Sequence, residues 1–485
     1  MPPKGDSIIQ STFLLVSINF LKPALGIILL PLYLNVLTNE EYGLYIMMVS
    51  LTGFVSIFGS LRINAAMATF YFDFNDDKQQ VKKYLSQLFS FSIIFGSIFF
   101  ILAASLGPFF FTFFKSDIPF LPYGIIAIAT GVLQACNSVF YIYLKNKKKF
   151  TFLSLIMFFH VILSVIIQIV MILILKKGVV GLLLGIFIPV VCTFFYILIS
   201  QKKIFTPKLD FNIIRPSLNY SVALIPFIFI IFFTNKGDKI ILEQYLSLGD
   251  IGKYGLLMTI SYMLVLVADS IINVVRPFLY EMFQQDHQKF TPKINFIIKF
   301  YMSANMLSIG GILLIGGNLD LMTDNKSFLE VIPFFILATI LAFFRSYLVL
   351  FTTQLNYVKR SKVISINSFL AMILLLTLYH FLTPIYGLYG VFIGGISSAI
   401  FTSIIFYYSA QKYFKLNYII LDLWIIPICL LIILFIVNTF GPENIRIKSI
   451  VLFLCSVGAV FVLLRGSFEE IKNYLKKELK LSQES

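Results

Sequence analysis

Apolar residues run along this chain in blocks longer than the core-facing stripe of a water-soluble helix requires, and short basic segments separate them. A helix needs about 20 apolar residues to cross a hydrocarbon core of ~30 Å. Fourteen blocks meet that need, at roughly 8–37, 42–70, 84–107, 119–144, 150–175, 179–200, 213–240, 252–279, 294–317, 328–355, 361–382, 386–410, 417–439 and 447–465. The pattern predicts an all-α polytopic membrane protein with about 14 transmembrane helices. Pro384 and Gly387 mark the division between spans 11 and 12. The first block is too long for the apolar core of a signal peptide and lacks a small-residue cleavage site, so it reads as the first span.

Charge in the connecting segments orients the spans. With the N-terminus in the cytoplasm, 26 Lys and Arg fall in inner segments, Lys299 among them, and 8 in outer ones, Lys239 among them, and the alternation persists to the end of the chain. A miscount would scramble it from the error onward, so the positive-inside rule predicts an even number of spans with both termini cytoplasmic. The net charge of +15 is thereby assigned to loops rather than to nucleic-acid binding. Composition agrees: 59% of residues are hydrophobic and 13% charged, against about 25% charged in soluble domains.

The connecting segments are too short to hold a folded extramembrane domain. In the tail, 467–485, Phe468, Ile471, Leu475 and Leu479 recur at helical spacing beside Lys472, Lys476 and Lys480. That spacing suits an amphipathic helix on the inner membrane surface, or a solvated helical end. Cys136, Cys192, Cys429 and Cys455 lie in apolar runs without metal-ligand spacing, and no phosphate-binding loop or nucleophile–base pair is in register. The expectation is no enzyme, no cofactor and no metal.

Two segments look alike. Thr38-Asn-Glu-Glu-Tyr-Gly-Leu-Tyr45 opens span 2, and Leu248-Gly-Asp-Ile-Gly-Lys-Tyr-Gly-Leu-Leu257 opens span 8. Superposing Tyr42-Gly43 on Tyr254-Gly255 gives an offset of 212 across six spans. An even number of spans preserves orientation, which makes these parallel repeats. The expected organisation is an N-lobe over 1–205 (spans 1–6), a C-lobe over 206–415 (spans 7–12), two added spans over 416–466, and the tail.

Glu40-Glu41-Tyr42-Gly43-Leu44-Tyr45 resembles the acidic-Tyr-Gly motif after the first helix of bacterial O-antigen flippase-type polysaccharide exporters. These belong to the multidrug/oligosaccharidyl-lipid/polysaccharide superfamily. Asn235-Lys-Gly-Asp-Lys-Ile-Ile-Leu242, followed by Tyr254-Gly255 and Arg276-Pro277, is similar to that family's span 7–8 signature. The resemblance implies a two-lobed alternating-access transporter whose cavity is lined by spans 1, 2, 7 and 8. The implied cargo is an undecaprenyl-pyrophosphate-linked oligosaccharide, carried across the cytoplasmic membrane with polysaccharide assembly proteins as possible partners.

Charges inside the spans point to the same helices. An ionised side chain at the bilayer centre costs at least ~2.5–3.5 kcal/mol, so it faces a protein interior or a wet cavity. Lys22 (span 1), Arg62 (span 2), Lys236 (span 7) and Arg345 (span 10) remain after loop assignment, and Arg276 lies at the inner end of span 8. Together they make a candidate cationic cavity for a pyrophosphate, which suits the Arg fork and the Lys point charge. The alternatives are snorkelling and static ion pairs between helices. Arg62 lies about 28 Å along a continuous helix from Gly43, at 1.5 Å per residue. Asp238 and Asp269 are either coupling sites for H⁺ or Na⁺ or counter-ions of these cations. Pro23, Pro31 and Pro226 predict kinks, and His160, His380, Gln134 and Asn137 are candidates for bonds between helices.

Three other functions compete. A multidrug/cation antiporter of the same superfamily would be poorly served by a positive cavity. A lipid II-type flippase shares the span count and cavity arginines. A glycan polymerase or glycosyltransferase would need a larger outer loop.

Overall fold

A computed structural model describes residues 26, 28–74, 77–113, 118–200, 208–233, 237–286 and 291–465. The regular elements among them are helices. In chain order they are α1 Leu30–Val36, α2 Asn39–Phe58, α3 Ile63–Phe70, α4 Lys78–Phe113, α5 Ile125–Asn146, α6 Phe150–Ile169, α7 Gly178–Ser200, α8 Phe211–Ala223, α9 Ile225–Phe232 and α10 Asp238–Leu242. There follow α11 Leu248–Asp286, α12 Thr291–Gly317, α13 Phe335–Tyr357, α14 Ser361–Tyr386, α15 Leu388–Tyr413, α16 Ile426–Phe440 and α17 Ile445–Leu464.

The chain is an all-α multi-pass membrane protein. Among the described residues, 12 helices are long and apolar enough to cross a membrane. They correspond to every expected span but the first and the seventh. Span 1 lies largely outside the described residues, as does the tail. Span 7 is interrupted between α8 and α9, and residues 234–236, between α9 and α10, lie outside the described residues. The interruption follows from chemistry: Pro226 sits in the first turn of α9, where its missing N–H costs nothing, and the helix restarts there. Pro31 likewise opens α1. Span 2 is also interrupted. α2 ends at Phe58 and α3 begins at Ile63, so the continuous helix expected over 42–70 is two helices.

The chain falls into two compact units that divide at Gly255/Leu256, within α11. In the first, α5 packs along α2, α4 and α7, and α3 lies on α8. Ile63, Met67, Leu88, Phe89, Val139 and Phe140 belong to an apolar cluster in it. Polar bonds tie these helices at depth: Asn137 Nδ2 donates to the Val190 carbonyl at 3.1 Å, and the Tyr33 hydroxyl donates to Gln168. The start of span 7 is held to spans 2 and 3. Lys83 pairs with Asp210 at 3.2 Å, Tyr84 and Ser217 hydroxyls meet at 2.9 Å, and Thr69 donates to the Tyr220 hydroxyl at 3.0 Å.

In the second unit α12 packs along α17, and α15 packs on α13 and α14. Trp424, the only tryptophan in the chain, stacks on Tyr347 with centroids 4.4 Å apart and planes 4° from parallel. The Tyr347 hydroxyl donates to the Leu423 carbonyl at 2.5 Å. Beside it Lys299 of α12 pairs with Asp422 at 3.4 Å. Lys299 was assigned to an inner loop by sequence; it lies two turns inside α12 because its charge is matched across helices by Asp422.

Local geometry repeats along the chain. Gly178-Val-Val-Gly181-Leu-Leu-Leu-Gly185 and Gly387-Leu-Tyr-Gly390-Val-Phe-Ile-Gly394 share glycine spacing at an offset of 209. Gly178 and Gly387 both hold left-handed backbone, with φ +51° and +54°, which only glycine adopts without strain. The turn between α5 and α6 recurs between α13 and α14 at an offset of 211. In the first, Lys147, Lys148 and Lys149 N–H donate to the carbonyls of Tyr143, Lys145 and Leu144; in the second, Val358, Lys359 and Arg360 donate to those of Gln354, Asn356 and Leu355.

The openings of α2 and α11 also correspond. Thr38 and Glu41 form a reciprocal cap on α2, Glu41 N–H donating to Thr38 Oγ1 at 3.1 Å and Thr38 N–H to Glu41 Oε2 at 2.9 Å. Ser247 and Asp250 do so on α11: Asp250 N–H donates to Ser247 Oγ at 3.1 Å, and the Ser247 hydroxyl to Asp250 Oδ2 at 2.8 Å. These caps correspond at an offset of 209, which pairs Gly43 with Gly252. The expected alignment on the Tyr-Gly dipeptides is therefore three residues too long, close to one helical turn. The two glycines meet. A Cβ on Gly43 would strike the Leu248 carbonyl oxygen and reach within 3.0 Å of Gly252 N; one on Gly252 would strike the Asn39 carbonyl oxygen and reach within 3.0 Å of Gly43 N. Residue for residue the contact is reciprocal, and the backbones touch.

Removing the stacked indole tests the anchoring of span 13. Trp424→Ala is expected to lower stability by about 2 kcal/mol or more, and Trp424→Phe by clearly less, measured by thermal unfolding of the detergent-purified protein.

Candidate functional site

Lys22 and Lys236 lie outside the described residues. Arg62 occupies the interruption of span 2. Leu61 and Arg62 are both left-handed, with φ 47° and 56°, a conformation that costs a side-chain-bearing residue of order 1–3 kcal/mol. Within the turn, Leu61 N–H donates to the Phe58 carbonyl at 3.0 Å and Ile63 N–H to Ser60 at 3.1 Å. Arg62 itself is half-buried, and its Nε has no hydrogen-bond partner among the described residues; neither has Oδ1 of Asn64, one residue past Ile63. With the helix broken, the 28 Å separation expected for a continuous helix does not apply.

Arg276 is half-buried in α11, and its Nε is also without a partner among the described residues. Asp269 lies seven residues earlier, two turns along the same helix face, and is exposed. The charge of Arg276 acts on Asp269, and the charges of Asp269 and Arg345 both act on the Tyr262 hydroxyl. Arg345 is 9% exposed in the middle of α13. The second unit thus gathers Asp269, Arg276, Arg345 and Tyr262 into one electrostatic group. Tyr262 was missed in sequence because a tyrosine in an apolar helix carries no distinguishing signal.

Asp238 is fully buried. Its partner is the adjacent Lys239, whose Nζ lies 3.0 Å from Oδ1, and the Tyr254 hydroxyl donates to Oδ2 at 2.7 Å. Lys239 Nζ also lies 5.3 Å from the centre of the Tyr254 ring. Lys239 was counted by sequence as an outer-loop cation, yet it is 8% exposed. The adjacency of Asp and Lys in Asn235-Lys-Gly-Asp-Lys239 was the available signal. Asp238 and Tyr254 are both fully buried, so this ion pair is shielded from water.

His160 Nδ1 and the Thr193 hydroxyl lie 3.3 Å apart, joining α6 and α7, whereas His380 is exposed beside Phe381.

The sequence profile of the family described as polysaccharide biosynthesis protein matches residues 8–283, more than half of the chain. The chain belongs to that family. It is accordingly a member of the multidrug/oligosaccharidyl-lipid/polysaccharide superfamily, as the span 2 and span 7–8 motifs implied. Its fold resembles that of the lipid II flippase MurJ in the inward closed conformation, with TM-score 0.74 and 15% identity over 95% of this chain and 99% of that one. It also resembles the Vibrio cholerae MATE transporter VcmN, as its D35N mutant, with TM-score 0.52 and 13% identity over 84% and 95%. No curated protein matches the chain by sequence. The family is one of polysaccharide biosynthesis, and the fold is shared with that flippase and that MATE transporter.

The buried ion pair makes a sharp prediction. Lys239→Ala removes an ion-pair partner of the buried Asp238 and is expected to cost about 3–5 kcal/mol. Adding Asp238→Asn should recover a substantial part of that loss, read as melting temperature in detergent.

Proposed function

We propose that this member of the family is an alternating-access flippase. Its cargo is an undecaprenyl-pyrophosphate-linked oligosaccharide, an O-antigen, capsule or exopolysaccharide repeat unit. It moves the cargo from the inner to the outer leaflet of the bacterial cytoplasmic membrane, with both termini cytoplasmic. The reading is carried by Arg62 and Arg276: each is a half-buried guanidinium in a membrane-spanning segment with a nitrogen unpartnered among the described residues. A guanidinium left unsatisfied in a span is costly unless an anion or water completes it. A pyrophosphate supplies two adjacent anionic groups to such donors.

In this reading the lobes are 1–205 and 206–415, spans 13 and 14 are additions, and Lys22, Arg62, Lys236, Arg276 and Arg345 line the path. The lipid tail stays in the bilayer while the glycan crosses with its pyrophosphate on the arginines. Asp269, exposed beside Arg276, is the group through which an H⁺ or Na⁺ gradient would act, because protonation or ion binding there changes the charge facing the cargo. Asp238, held by Lys239 and Tyr254, serves as a counter-ion. An excess of cations disfavours an organic-cation cargo. The likeness to MurJ keeps lipid II as the competing cargo of the same chemical class.

Reconstituted flipping of defined lipid-linked glycans tests the reading. The Lys22→Ala, Arg62→Ala protein is expected to lose about tenfold or more in rate, the effect of one lost charge-assisted contact of 1.5–3 kcal/mol. Full activity in that variant overturns the cationic path, and preferential flipping of lipid II reassigns the cargo. Asp269→Asn should uncouple transport from the gradient; unchanged gradient-driven transport places coupling elsewhere.

A further inference from the structure

The second copy of the repeated turn gathers positive charge, as the first does. Lys359 and Arg360 emerge from it, and Lys362 follows in the first turn of α14. The end of α15 lies beside them. The Arg360 guanidinium sits 4.8 Å from the centre of the Tyr413 ring, and Lys412 Nζ lies 5.9 Å from the same ring. Lys415 follows two residues later. Arg360 and Lys412, from two stretches of chain, therefore meet at one tyrosine ring, Lys359, Lys362 and Lys415 lie within three residues of them in sequence, and all five are exposed. Neither 351–366 nor 407–418 contains an Asp or Glu. The nearest carboxylate in sequence, Asp422, is buried and taken by Lys299.

The helices leading away from this cluster present apolar surface. On α14, Ile366, Phe369 and Leu370 are exposed, and on α15 Phe401, Ile404 and Tyr408 are exposed. α14 and α15 pack together as a hairpin. A ligand matched to this surface is anionic at one end and apolar along its length.

We propose that the basic end of the α14–α15 hairpin binds the headgroup of an anionic phospholipid, with its acyl chains lying against the exposed apolar residues of both helices. Arg360 and Lys412 hold the phosphate, Lys359, Lys362 and Lys415 supply the surrounding positive field, and Tyr413 fixes the two inner cations through its ring face. Placement in the cytoplasmic leaflet rests on the topology proposed above; the lipid chemistry does not. The occupant is a membrane phospholipid rather than the cargo, because these cations are exposed at helix ends whereas Arg62 and Arg276 are half-buried within spans.

The full-length protein in detergent, titrated with short-chain phosphatidylglycerol or phosphatidylcholine and examined by native mass spectrometry, tests the site. Phosphatidylglycerol is expected to bind in preference to phosphatidylcholine and to weaken as salt is raised. Arg360→Gln and Lys412→Gln should each lower its affinity about fivefold, and together about 25-fold, from the usual contribution of a basic residue near an anionic surface. Both positions are exposed, and an unchanged lipid-free melting temperature verifies folding. Should the double variant misfold, the single variants and the salt series still decide. Equal binding of the two lipids, or unaltered phosphatidylglycerol binding in the variants, overturns the proposal. So does displacement of phosphatidylglycerol by undecaprenyl pyrophosphate together with slower flipping in the variants, which would make the cluster a cargo site. Lipid binding is measured without transport, so failure of the flippase reading leaves this result standing and the converse holds equally.

Discussion

Hydrocarbon offers the peptide backbone no hydrogen-bond partner, and each unsatisfied amide or carbonyl there costs several kcal/mol. Long uninterrupted helices follow directly. What the constraint explains less obviously is where the helices stop. Non-helical backbone at membrane depth is tolerated where protein buries it or where it lines water. Span 2 breaks at Gly59–Arg62, where the Gly59, Leu61 and Ile63 amides stay bonded to Val55, Phe58 and Ser60 carbonyls. Span 7 breaks at Leu224, where Pro226 removes a donor. Arg62 sits in the first break, and Asp238 opens the last piece of span 7. Charge and broken backbone share a requirement for polar surroundings, and the fold meets both in the same two spans.

The contact of Gly43 with Gly252 sets a second boundary. Backbones that touch leave no room for a side chain or for water, and polar groups buried from water must satisfy one another. Asp238, Lys239 and Tyr254 do so through an ion pair, a hydroxyl bond and a ring contact. Arg62 and Arg276 are treated differently. Each keeps a buried Nε without a partner among the described residues. The proposed function takes these two incomplete guanidinium groups as its cargo contacts.

The two ways of aligning the halves differ in register. Two Tyr-Gly dipeptides drew the alignment to 212, while caps, glycine contact and turn bonds place it at 209 to 211. The error is one helical turn. In a chain dominated by Phe, Ile and Leu, a dipeptide match shifts by a turn without disturbing the apolar face, whereas a cap needs its hydroxyl and carboxylate three residues apart. Lys239 and Lys299 were misplaced for a related reason. Each stands near the end of an apolar block, where composition cannot separate a loop cation from a buried one whose partner is Asp238 or Asp422.

Span positions, their alternation with basic segments, the membrane class and the helices that carry charge were all determined by the sequence alone. Insertion of a span depends on its own residues, summed locally, and each block announces itself. The tertiary structure decided the breaks in spans 2 and 7, the partner of Asp238, the ties of Trp424 and Lys299 to the rest of the second unit, and the convergence of Arg360 and Lys412 on Tyr413. These depend on the angle and depth at which helices meet. Two residues 100 positions apart in a uniform apolar sequence carry no local mark of that meeting; packing alone brings them together.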